Sequence, residues 1–95
     1  MHTVILHWTC KPGVRDGFLA GFEEQILVDT RARDGFVSLE VLVDQDNPDK
    51  FTLFDKWSTR AHFENYMAWR TETGALEMLA QVLAAPLEVF HYDAQ

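Results

Sequence analysis

Phe36-Val37-Ser38-Leu39-Glu40-Val41-Leu42-Val43, then Asp44-Gln45-Asp46-Asn47-Pro48-Asp49-Lys50, then Phe51-Thr52-Leu53-Phe54-Asp55-Lys56-Trp57 is the stretch that decides the fold. Its flanks are rich in β-branched and aromatic residues, and the polar segment between them is full of turn formers. It therefore reads as an antiparallel hairpin with a long loop. A helix start follows at once, because Ser58 or Thr59 is placed to cap Arg60-Ala61-His62-Phe63. Trp57 thus stands where a strand meets a helix.

Upstream, Val14 to Arg33 places Phe18, Leu19, Phe22 and Ile26 at spacings of three and four, with Asp16 in the first turn and Gly35 just past the end. That pattern predicts one long amphipathic helix. His2 to Thr9, carrying Val4, Ile5, Leu6 and Trp8, reads as a first strand closed by Pro12-Gly13. Downstream, the capped helix runs to about Arg70 and Gly74 permits a break. A short helix then uses Ala75, Leu76, Met78, Leu79, Val82 and Leu83, Pro86 stops it, and Leu87 to Tyr92 forms a fourth strand. The order is β-α-β-β-α-α-β: an α+β, ferredoxin-like arrangement with a four-stranded antiparallel sheet and helices on one face. At 95 residues this is a single domain, 1–95.

Both faces of the sheet carry apolar residues. Alternation puts Val37, Leu39, Val41 and Val43 on one side of the second strand and Phe36 and Leu42 on the other. The third strand likewise sets Phe51, Leu53 and Trp57 against Phe54, and the first sets Leu6 and Trp8 against Ile5. The helices suffice to cover one face only, so the simplest cover for the other is the sheet of a second copy, in a two-fold symmetric homodimer.

Composition narrows the classes of function. Formal net charge is −7, and the eight Lys and Arg form no cluster denser than Arg31-Ala32-Arg33, which argues against nucleic acid. No apolar stretch approaches the ~18 residues of a membrane span, and Met1-His2-Thr3 begins a strand and not a leader, so a cytoplasmic protein without membrane contact is expected. Cys10 is the lone cysteine and reads as an ordinary buried thiol. His2, His7, His62 and His91 have no ligand spacing, so no metal is expected, and the isolated glycines make no phosphate cradle.

Pro12-Gly13, Asp16-Gly17-Phe18, Asp34-Gly35-Phe36, Asn47-Pro48, Phe54-Asp55-Lys56-Trp57-Ser58 and Ala61-His62-Phe63 together resemble the antibiotic biosynthesis monooxygenase domain family, over essentially the whole chain. The resemblance implies a dimeric α+β barrel in which two ferredoxin-like sheets pack together. Among the activities it implies is cofactor-independent oxygenation of hydroquinones or other planar hydroxyaromatics. Trp57 corresponds to a pocket-lining tryptophan of the aromatic oxygenases, and His62 to a histidine of some members. Leu53 stands where those oxygenases have asparagine, and Phe63 where they have tyrosine. An isomerase or small-electrophile stress protein of the same fold is the alternative, as is a dimer that binds a hydrophobic ligand without turnover.

An oxygenase that uses no cofactor draws its electrons from the substrate. It needs an apolar pocket, a base that turns a phenol into its phenolate, and a group that holds the developing anion. Candidate walls for a small aromatic substrate are Trp8, Phe22, Phe54, Trp57, Phe63, Tyr66 and Trp69. Candidate bases are His7, His62 and Asp55, since imidazole titrates near neutrality and burial raises a carboxylate. Tyr66 or Arg70 is placed to hold the anion. Each has a plainer reading: aromatics at these spacings as core, His7 buried and neutral, His62 solvated at a helix start, Asp55 turned to solvent beside Lys56, and Tyr66 with Arg70 as a stacked pair on one helix face.

Overall fold

A computed structural model describes residues 1–95. Along the chain lie β1 (His2–Thr9), α1 (Arg15–Phe22), a π-helical turn (Glu23–Leu27), α2 (Val28–Arg31), β2 (Phe36–Val43), β3 (Lys50–Trp57), α3 (Arg60–Glu72), α4 (Ala75–Val82) and β4 (Glu88–Asp93). The strands form one sheet in the order β2-β3-β1-β4, every neighbour antiparallel, which is the ferredoxin-like topology that the element order requires.

At the centre of the sheet, Val4 pairs with Asp55, Leu6 with Leu53 and Trp8 with Phe51. All six are buried, as is Trp57, and the helices lay Phe22, Leu27, Phe63 and Val82 on this face. The other face has no helix. Ile5 and Phe54 are half-buried there and His7 is exposed, while Phe90 and Leu42 stand beside them, 41% and 46% exposed. Only one face of the sheet is covered within the chain.

Alternation misplaces Phe36. The β2–β3 register shifts between Phe36 and Ser38, so Phe36 lies opposite Trp57 and meets its ring edge-on at 5.5 Å, on the face of Leu39 and Val41. One extra residue in a strand reverses the parity of everything before it. The helix read over Val14–Arg33 is likewise interrupted by the π-turn, and it stops at Arg31 ahead of Gly35, whose φ is +83°. Thr59 caps α3, its Oγ1 accepting the His62 N–H at 3.2 Å. α3 runs past Arg70 to Glu72, and Gly74, at φ +95°, starts α4.

Arg15 ties the hairpin loop to α1. Its Nη1 donates to the carbonyls of Asp44, Asn47 and Lys50 at 3.2, 3.0 and 3.2 Å. Within the loop the Asp44 carboxylate accepts the N–H groups of Asp46 and Asn47, both at 2.8 Å, and these bonds lower its pKa. Cys10 is buried, and burial pushes its thiol pKa up, as expected of an inert core cysteine. No helix is long and apolar enough to cross a membrane.

Candidate active site

A cavity of about 60 Å³ lies between the helices and the face of the sheet that they cover. Leu6 and Trp8 of β1 and Leu53 and Asp55 of β3 line it from the sheet, because residues two apart on a strand share a face. Ile26, within the π-turn, and Thr30 line it from the helical layer, with Tyr66 and Arg70 of α3. Since a closed cavity of about 150 Å³ takes benzene, a larger aromatic guest requires the unbranched walls Met67 and Met78 to move outward.

Asp55 is the exceptional group in this lining. It is 2% exposed, with no ion-pair partner, and its Oδ1 has no hydrogen-bond partner in the protein. Oδ2 receives only a long contact from Trp57 Nε1, at 3.5 Å. Loss of hydration therefore dominates, and it raises the pKa to about 7 against the small opposing effect of that N–H. A carboxyl with this pKa exchanges a proton with a weakly acidic guest at neutral pH. The structure thus removes the reading in which Asp55 faces solvent.

Opposite Asp55 stands a closed polar network. Arg70 Nε donates to Tyr66 Oη at 3.0 Å, and its Nη2 donates to the Ile26 carbonyl at 2.7 Å and to Thr30 Oγ1 at 3.1 Å. Thr30 Oγ1 also lies 3.3 Å from the Ile26 carbonyl and shares a 2.8 Å hydrogen bond with Tyr66 Oη. Arg70 retains its Nη1 hydrogens, because three of the five guanidinium N–H groups serve the network. It also stacks over Trp69 at 4.8 Å, whose ring takes Arg33 at 4.4 Å as well.

The fold brings Trp8, Phe22, Asp55, Tyr66 and Arg70 together around the cavity. Trp57 is wholly buried and does not line it; the ring supports Tyr66 at a centroid distance of 5.1 Å and packs on Phe63. Phe63 and Trp69 also lie outside the lining. Phe54 and His7 sit on the open face of the sheet, His7 exposed and hydrogen-bonded through Nδ1 to Thr52 Oγ1 at 3.0 Å. His62 is at the start of α3, between Thr59 Oγ1 at 2.8 Å from Nδ1 and Asp34 at 3.6 Å from Nε2, where it steadies the cap. Sequence reasoning passed over Thr30, although Phe22, Ile26 and Thr30 follow at intervals of four and a buried hydroxyl on an apolar stripe is itself a signal.

A sequence model of the family described as Antibiotic biosynthesis monooxygenase matches residues 1–78. A crystal structure described as an antibiotic biosynthesis monooxygenase superposes with a TM-score of 0.83 at 24% identity, over 100% of this chain and 99% of that one. A conserved protein from Methanosarcina mazei Go1 gives a TM-score of 0.82 at 16% identity, covering 99% and 92% of the two chains. A protein from Mycobacterium tuberculosis gives 0.79 at 20%, covering 99% and 94%. At such identities the likeness carries the fold. No curated protein matches the sequence.

Proposed function

Because the chain belongs to the antibiotic biosynthesis monooxygenase family, we propose that it is a cofactor-independent monooxygenase acting on a hydroquinone or other planar hydroxyaromatic in the cavity above Asp55. The observation that carries this reading is a carboxyl on an apolar cavity wall, unpaired and titrating near pH 7. Such a group takes the phenolic proton without needing a strong base elsewhere. Arg70 Nη1 supplies the positive charge that stabilises the phenolate and the oxyanions that follow. The phenolate reduces dioxygen, a ring C–H carbon takes up one oxygen atom to become a quinone carbonyl, and the other atom leaves as water. The substrate provides all four electrons and both hydrogens of that water, so the equation balances as phenol plus dioxygen to quinone plus water. The apolar walls keep bulk water from the reduced-oxygen intermediates.

A homodimer belongs to the same reading. Ile5 and Phe54 are neighbours across β1 and β3 on the open face, with Phe90 beside them on β4, and a second sheet laid there removes their apolar surface from water.

Oxygen uptake by metal- and flavin-free protein, offered 1-naphthols and naphthohydroquinones under ¹⁸O₂, tests the activity. The expected result is uptake above the spontaneous rate with one labelled oxygen in each quinone formed from a naphthol, and a fall of ~100-fold or more in Asp55→Asn. Trp fluorescence quenching by these compounds with no uptake for any of them refutes the oxygenase and leaves a binding protein.

A further inference from the structure

The walls of the cavity differ in how firmly they are held. Leu6, Trp8, Leu53 and Asp55 belong to the central strands β1 and β3, and all four are buried. Arg70 staples α3 to the helical segment opposite, donating to the Ile26 carbonyl at 2.7 Å and to Thr30 Oγ1 at 3.1 Å. α4 supplies Ala75, Met78 and Leu79 to the lining, and it is bonded to a distant part of the chain at its C-terminal end only. There the Lys11 N–H donates to the Val82 carbonyl at 2.8 Å, and just beyond the helix the Ala84 N–H donates to the Thr9 carbonyl at 2.9 Å. Val82 and Cys10 are buried at this clamp, 7% and 2% exposed.

The other end of α4 is loosely held. Thr73 and Gly74 join it to α3, with Gly74 in a left-handed turn at φ +95°, and no side chain caps the helix. Its first hydrogen bond, from the Met78 N–H to the Gly74 carbonyl, is long at 3.4 Å. No heavy atom lies within 4 Å of the place that a Cβ on Gly74 would take, so nothing packs on that side of the turn. Beneath the helix, a cavity of about 60 Å³ stands where side chains would otherwise hold Met78 and Leu79. Lifting this end therefore gives up fewer contacts than lifting a helix from a filled core, and thinly packed segments open well short of global unfolding.

We propose that α4 is a lid on the cavity: its N-terminal end tilts outward as the Thr73-Gly74 link straightens, while residues 82–84 stay clamped beside the end of β1. The lid answers the mismatch between the cavity and an aromatic guest, since the closed space of about 60 Å³ is below the ~150 Å³ that holds benzene. It puts the movement in one wall and leaves Asp55, Tyr66 and Arg70 in position. This deepens the reading of the cavity as the substrate site and rests on it for what the lid admits, but the movement itself is tested without a substrate.

Leu53, on the cavity wall, is 5% exposed, and Cys10, outside the lining, is 2% exposed. Alkylation by iodoacetamide is followed in urea for Cys10 of the wild type and for the new thiol of Cys10→Ser/Leu53→Cys, each rate divided by its value in the unfolded protein. The thiol at position 53 is expected to react on the order of 100-fold faster than Cys10 and with a much shallower urea dependence, because a lid exposes it without global unfolding. Leu6→Cys, across the β1–β3 register from Leu53, replaces Leu53→Cys if that variant does not fold. Equal rates and equal urea slopes overturn the lid. Adding Gly74→Ala, which strains the closed turn, should speed labelling at position 53 by about tenfold. Gly35→Ala strains a turn before β2 and should leave that rate unchanged. No acceleration by Gly74→Ala, or the same acceleration by both, overturns the hinge. Saturating 1-naphthol under nitrogen is expected to slow the labelling of position 53. A lid that opens at Gly74 while neither naphthols nor naphthohydroquinones slow the labelling overturns the substrate site and leaves the lid.

Discussion

A carboxyl stripped of hydration, with no cation beside it and one long N–H contact, keeps its proton up to about pH 7, and Asp55 is such a group. Its folded pKa lies above the ordinary 3.8, so between those values the folded state holds a proton that the unfolded chain has released. The stabilising contribution is therefore complete below pH 3.8 and is lost as pH rises through about 7. Three pKa steps correspond to roughly 4 kcal/mol as an order of magnitude. Asp55→Asn should flatten this dependence: its melting temperature is expected to exceed that of the wild type at pH 8 and to approach it at pH 5. Parallel melting curves for the two proteins across that range would contradict the burial argument. The same residue shows how far a single position is legible. Its parity with Leu53 and Trp57 is visible in the chain, but the absence of any partner for its outer oxygen depends on side chains from β1, α2 and α3.

Among the elements, the junctions are where local sequence rules hold best. Gly35 turns the chain at φ +83°, and a Cβ there would land in the His62 imidazole. Gly35→Ala is expected to lose about 2 kcal/mol or more in urea unfolding, from strained backbone and overlap together. Removing the ring in Gly35→Ala/His62→Ala should recover the steric part. If the double variant is no more stable than Gly35→Ala, the overlap does not matter. The Thr59 cap and the Gly74 break are equally local, and both are legible from residue type alone. The Arg15 anchor is not, because an arginine near a helix start looks like a surface charge until the loop 44–50 folds over it. Arg15→Leu takes one donor from each of the Asp44, Asn47 and Lys50 carbonyls, of which the last two keep the N–H groups of Lys50 and Asp44, and it is expected to cost about 1–2 kcal/mol, with faster amide exchange at Asp46 and Asn47. Unchanged exchange there would mean that the loop holds itself. The π-turn has no sequence rule of its own; it sets the Ile26 carbonyl within reach of Arg70.

For the whole molecule, the uncovered face of the sheet is the feature that no residue or element explains. Phe54 lies at its centre, opposite Ile5 on β1 and Glu40 on β2. Light scattering is expected to give twice the 11.0 kDa chain mass for the wild type. Phe54→Glu, which buries a charge in the proposed interface, should run as one chain and lose stability. A wild type of single-chain mass would remove the dimer. What the sequence determined by itself is the order of elements, their ends to within about two residues, and the presence of apolar residues on both sides of the strands, since periods of two and near four and the turn residues act over a few neighbours. The tertiary structure alone decided which aromatics line the cavity: Trp8, Phe22 and Tyr66 do, whereas Phe36, turned inward by a bulge, packs on Trp57, which went behind Tyr66 and not into the lining. It also left Asp55 Oδ1 and Trp8 Nε1, on two residues that line one cavity, without hydrogen-bond partners. Hydration and pairing are properties of a place in the fold, and only packing between distant segments creates that place.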